Sequence, residues 1–98
     1  MNKNESRRIA QIKRRVAQKV AIMEYLGNQC VECGISAKDL PEGGHTVFDC
    51  NHINPADKSF SIAGEGKGYT WTKLKPELDK CELLCATCHR IVTWRQRQ

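Results

Sequence analysis

Two Cys-x-x-Cys knuckles, Cys30–Cys33 and Cys85–Cys88, constrain this chain more than any other feature, and the 51 residues 34–84 lie between them. A two-residue spacer lets both thiolates of a knuckle reach one tetrahedral ion at about 2.3 Å, and two knuckles complete four-coordination. Four thiolates leave no open position for water, so the expected metal is a structural Zn2+. It would clamp the end of a first helix to the start of the last element. A site of this kind contributes on the order of 10 kcal/mol to folding. A disulfide framework is the rival, with 15 pairings open to six cysteines, and a redox role for one knuckle is another. Cys50 and Cys81 are left over and read as small buried fillers. Zinc ribbons commonly separate their knuckles by about 15–20 residues. The longer gap here therefore marks an insert framed by the metal.

With 98 residues the chain forms one small domain and buries little core, which raises the value of a structural metal. No apolar run approaches the ~20 residues of a membrane span, and Met1 to Arg8 lack the apolar stretch of a signal peptide. The expectation is a chain without a membrane partner, in a reducing compartment where cysteines more often hold metal than pair with each other.

The net charge of +5 is concentrated in one place. Residues 1–20 hold Lys3, Arg7, Arg8, Lys13, Arg14, Arg15 and Lys19 against the single acid Glu5. In the same stretch Ile9, Ile12, Val16, Val20 and Met23 recur at steps of three and four, the apolar stripe of an amphipathic helix. Gly27 supplies a left-handed stop. The sequence thus predicts a basic helix, residues 1–26, packed on a domain of residues 27–98. Its outward face either binds a polyanion or only confers solubility.

Beyond the first knuckle, residues 34–45 read as loop and Thr46–Ile53 as a strand ending at Asn54-Pro55. Lys58–Ile62 is a candidate return strand. Residues 63–68 read as a glycine-rich turn without the setting of a phosphate loop. Pro76 interrupts residues 70–79, and a closing helix follows Cys88. A strand delivering Asn51 and His52, with a helix delivering His89, suits a one-metal phosphodiesterase. One neutral imidazole takes a proton from water, while a divalent ion on the other imidazole and an oxygen ligand stabilises phosphoryl charge. Two histidines so far apart in sequence can equally be unrelated, and His45 reads as a surface residue.

Gly27-x-x-Cys30-x-x-Cys33-Gly34, Phe48-Asp49-Cys50-Asn51-His52-Ile53-Asn54-Pro55, Lys58-x-Phe60-x-Ile62, Trp71-x-x-Leu74 and Glu77-Leu78-Asp79-Lys80-Cys81-Glu82-Leu83-Leu84-Cys85-Ala86-Thr87-Cys88-His89-Arg90 together resemble a small HNH endonuclease. These are the ββα-metal nucleases with a four-cysteine zinc clip, found in phages and bacteria. The resemblance covers roughly residues 20–93. It implies an α+β fold: a ββα-metal core, a zinc clip and, outside the match, the basic helix. His52 falls on the general base. Asn51 and His89 fall on the ligands of a catalytic Mg2+ or Mn2+, with Asp49 as an auxiliary candidate. Cys30, Cys33, Cys85 and Cys88 fall on the zinc ligands. The implied partner is DNA, expected to be double-stranded, cut to a 3′-hydroxyl and a 5′-phosphate in the cytoplasm of a bacterium or an infected host. Arg7, Arg8, Lys13, Arg14, Arg15, Lys19, Arg90, Arg95 and Arg97 are the candidate DNA contacts, and a homodimer is compatible with the sequence. Three positions depart from the family pattern. Asn51 stands where Asp or His is usual, Lys80 where the middle asparagine falls, and Thr93 where a further histidine is often found. They keep open a catalytically inactive DNA-binding module and a protein-interaction adaptor as alternatives.

Overall fold

A computed structural model describes residues 2–60, 62 and 69–98. The glycine-rich segment 63–68 and Ser61 lie outside the described residues. Among those described, three α-helices and a two-stranded antiparallel sheet give the expected α+β class.

Helix α1 runs from Lys3 to Tyr25. Asn2 caps it, its side-chain oxygen accepting from the Glu5 amide at 2.8 Å. At the other end Gly27 takes φ +100° and Asn28 φ +61°, and the Asn28 amide returns to the Met23 carbonyl at 2.8 Å. Only the C-terminal half of the helix packs against the body. Ile22 and Met23 are buried and Val16 is half-buried, whereas Asn2 to Arg15 are all exposed, Ile9 and Ile12 included. The periodicity of the stripe was legible, but the body is too small to cover its whole length. The first turns project as an arm, and the molecule measures 50 × 31 × 22 Å.

Strand β1, Phe48–His52, pairs with β2, Cys81–Cys85. The register sets Phe48 opposite Cys85, Cys50 opposite Leu83, Asn51 opposite Glu82 and His52 opposite Cys81. The return strand is therefore Cys81–Cys85 and not the expected 58–62. The reason lies in the chain itself. Pro55 opens a 3-10 turn over Pro55–Asp57 immediately after β1, which ends strand geometry. Leu83 and Leu84 are both fully buried, so β2 is covered on both faces and outcompetes a polar Lys58-Ser59 segment for the same edge. Phe60 instead packs on Tyr69, ring centroids 4.6 Å apart.

The long connection between the strands carries α2, Trp71–Leu78, capped by Thr70. Pro76 lies inside this helix, which ends two residues later. Leu74 and Leu78 bury against Ile22 of α1. Tyr25 donates a hydrogen bond to Asp79 and meets Trp71 edge-on at 5.5 Å, which fixes α1 to α2. A second cluster of Met23, Cys30, Phe48, Leu83 and Leu84 forms the other half of the core. Helix α3, Ala86–Gln96, starts directly from β2, with Cys85 as its N-cap. No helix among the described residues is long and apolar enough to cross a membrane.

Candidate metal centre and histidine site

The two knuckles meet. Glycine at position 34, with φ +79°, closes the first one and returns its amide to the Cys30 carbonyl at 2.9 Å. The Val31 amide bonds the Leu83 carbonyl at 3.0 Å, which ties this knuckle to β2 just before the second begins. The sulfurs of Cys30, Cys33, Cys85 and Cys88 all lie within 4.8 Å of one another. Cys33 and Cys85 are 3.8 Å apart, about the edge of a tetrahedron with 2.3 Å metal–sulfur bonds. That separation is far beyond the roughly 2.05 Å of a disulfide, and all six cysteines are free thiols. The four are thus placed to hold a metal ion such as zinc.

Their acidities agree with that donor set. Burial pushes the Cys30 thiol up, but the backbone amides of Cys33, Cys85 and Glu32 outweigh it and bring it to about 6. The bond to Cys85, with burial, pushes Cys88 up to about 12. Thiols packed this closely resist ionising together, and a bound cation would relieve that. Outside the cluster, Cys81 is buried and Cys50 half-buried, and the bond to Cys81 together with burial raises the Cys50 thiol. Both serve as packing residues.

The pleat of β1 sends Asp49 and Asn51 to one face and Cys50 and His52 to the other. The two histidines nevertheless border one hollow of about 230 Å3, with Cys50, Asn51, Pro55, Lys58 and Ile62. Each ring is held through one nitrogen by a carboxylate. His52 Nε2 lies 2.6 Å from Glu77 Oε2, and His89 Nδ1 lies 2.9 Å from Asp49 Oδ2. A carboxylate only accepts, so it selects the tautomer protonated at the bonded nitrogen. The basic lone pair of neutral His52 is then on Nδ1, and that of His89 on Nε2.

Sequence reasoning did not single out Glu77. It is 2% exposed, the one buried carboxylate among the described residues. Its Oε2 accepts from the Ser59 amide at 3.0 Å as well as facing His52, and its Oε1 accepts from Lys80 Nζ at 3.0 Å. Burial pushes the Glu77 carboxyl up, but the Ser59 amide, His52 and Lys80 outweigh it and hold it at about 2. Lys80 also donates to the Asp57 carbonyl and to Ser59 Oγ, both at 3.0 Å. The only advance sign of Glu77 was its position: Leu74, Glu77 and Leu78 occupy one face of a short helix, where a charge needs a partner.

Asn51 presents a buried amide nitrogen with no hydrogen-bond partner among the described residues. Turning that amide over would put its oxygen in the same place without breaking a bond to the nitrogen. Asn51 and His89 both line the hollow, and Nε2 is the His89 nitrogen left without a carboxylate partner. Asp49 spends one oxygen on His89 and so fixes the orientation of that ring.

The cationic side chains divide into groups. Arg15 and Lys19 border a second hollow of about 210 Å3 that shares Cys50 and His89 with the first, and Lys19 also donates to the Phe48 carbonyl. Arg7, Arg8, Lys13 and Arg14 lie on the projecting arm. Arg90 on α3 and Arg97, which caps its C-terminus, flank Trp94. Arg95 faces Glu32 at 3.6 Å. His45 is half-buried, apart from the other two histidines, on a groove beside α1. The chain matches no protein-family model, no curated protein and no solved structure.

Proposed function

We propose that this chain is a metal-dependent DNA endonuclease of the HNH type, with one structural zinc. The observation that carries the reading is that the rings of His52 and His89 border one hollow, each with a nitrogen fixed by a carboxylate. His52 Nδ1 takes a proton from the attacking water, and Glu77 stabilises the imidazolium that results. His89 Nε2 and Asn51 Oδ1 hold a Mg2+ or Mn2+ ion, which supplies Lewis-acid stabilisation of phosphoryl charge. Asp49 keeps the His89 ring in register. Arg15, Lys19 and the cationic arm of α1 grip backbone phosphates on one side of the hollow. Cys30, Cys33, Cys85 and Cys88 hold Zn2+ and anchor the helix that carries His89.

The neutral amide of Asn51 favours a second reading, a zinc-stabilised DNA-binding module that no longer cuts, because an amide binds a hard cation less tightly than a carboxylate. A plasmid-nicking assay separates the two. Nicking with Mg2+ or Mn2+ that disappears in His52→Ala, while DNA binding is retained, supports the nuclease. Equal DNA binding by both proteins with no nicks from either supports the module.

A further inference from the structure

Helix α3 carries more than a metal ligand. Residues 89, 90, 93, 94 and 97 recur at helical spacing on one face, and they line a hollow of about 360 Å3 next to the histidine site. His89 belongs to both hollows. Trp94 sits in the middle, 63% exposed, more than any other large apolar side chain described. Arg90 lies one turn before it and Arg97 one turn after. Neither has an ion-pair partner among the described residues, in contrast to Arg95, and no acid lines the hollow.

An indole left in water between two free guanidinium groups is poorly suited to an apolar core. It is well suited to a nucleotide, whose base stacks on the ring while its phosphates meet the cations. The face of a base is available only where the strand is unstacked, since a continuous duplex buries it between neighbours. We propose that Trp94, with Arg90 and Arg97, is a base-stacking platform beside the cleavage site. The preferred substrate is then DNA with an unpaired nucleotide adjoining the scissile phosphate, as in a gap, flap or single strand. This rests on the nuclease reading for the position of the cut but not for the stacking itself. The duplex side of such a junction falls to the α1 arm, and the unpaired side to α3.

The test uses the full zinc-loaded chain and fluorescein-labelled oligonucleotides of equal length: single-stranded, fully duplex, and duplex with a two-nucleotide gap. Binding is measured by anisotropy without Mg2+ or Mn2+, and cleavage with Mn2+. Trp94→Ala, at an exposed site, should keep the wild-type melting temperature. It should bind the single-stranded and gapped probes about tenfold more weakly while duplex binding changes less than about twofold, and Trp94→Phe should retain most of the affinity. Equal weakening on all three probes, or none, overturns the platform. So does a shift from dimer to monomer in Trp94→Ala, which would assign the indole to contact between copies. Trp94-dependent binding without cleavage by wild type keeps the platform and removes the nuclease. Cleavage indifferent to Trp94 does the reverse.

Discussion

Replacing Glu77 by glutamine keeps the shape of the side chain and removes its charge, which isolates what the buried carboxylate does. In the wild type a carboxyl held at about 2, against an ordinary 4.5, carries about 3 kcal/mol of differential stability at neutral pH. Glutamine loses the charge-assisted bonds to His52 and Lys80. With its carbonyl oxygen at the Oε2 position its amide can still accept from both the Ser59 amide and His52, but its NH2 then faces Lys80 Nζ, donor against donor. The expected cost is therefore about 2–3 kcal/mol, read as a fall in the urea midpoint of the zinc-loaded protein at pH 7 with an unchanged slope. Under the nuclease reading, nicking should fall by about a hundredfold with DNA affinity unchanged, as expected when the imidazolium loses the carboxylate charge that stabilises it. Nitrogen-15 NMR of the imidazole should show neutral His52 still protonated on Nε2. A variant within about 0.5 kcal/mol of wild type that nicks at full rate would refute the reasoning. It would mean that solvent compensates both ends of the interaction.

The same carboxyl gives a pH dependence with a fixed sign. A group whose folded pKa is lowered stabilises the fold above its unfolded value and loses that contribution as pH falls. The stability gap between wild type and Glu77→Gln should thus be full at pH 6 and shrink between about 4.5 and 2, while losses at the cysteine cluster are common to both and cancel. Removing zinc with a strong chelator, or substituting Cys85→Ser, should abolish the cooperative far-ultraviolet melt, since the metal supplies on the order of 10 kcal/mol to a small core. Deleting residues 1–14 should leave the melt nearly unchanged, because residues 2–14 are exposed on the projecting arm. The log-log salt slope of DNA binding should then fall by up to about 4, near 0.9 for each phosphate that the arm no longer neutralises. Asn51→Asp should lower the Mn2+ concentration for half-maximal nicking by roughly tenfold through the added charge, and no change would remove position 51 from the ligand set.

The four-cysteine cluster was legible because its information is local: two knuckles with fixed spacers need only be brought together, and the chain between them matters little. Helix α1 was legible as a period, and its glycine stop stands where the pattern puts it. Two other features depended on competition the sequence does not display. Pairing of β1 with Cys81–Cys85 is decided by which segment buries more on both faces, and an expectation of a nearby return strand loses to Leu83 and Leu84. How far α1 packs depends on the size of the body beneath it, so Ile9 and Ile12 keep the helical pattern without a surface to cover. Glu77 was hidden for a related reason. A buried carboxylate is recognisable only from its partners, and Ser59, His52 and Lys80 come from three separate stretches of chain.

The site stands where the two halves of the core meet, which makes its geometry depend on both. His52 and Glu77 belong to the side where α2 packs on α1, through Leu74, Leu78 and Ile22. His89 and Asp49 belong to the other side: His89 follows Cys88 directly, and Cys88 packs against the cluster of Met23, Phe48, Leu83 and Leu84. The pitch of α3, and hence the distance from His89 to His52, is set by where the second knuckle is pinned. A local change at the second knuckle should therefore displace His89 before it disturbs His52, whose partner lies on a helix that the four clustered cysteines do not belong to. In zinc-loaded Cys88→His, whose imidazole can still ligate the metal at a different reach, nicking should fall while the Nε2 proton of His52 stays in place. If both signals instead disappear together in that variant, the two halves of the core respond as one unit and this division of labour is wrong.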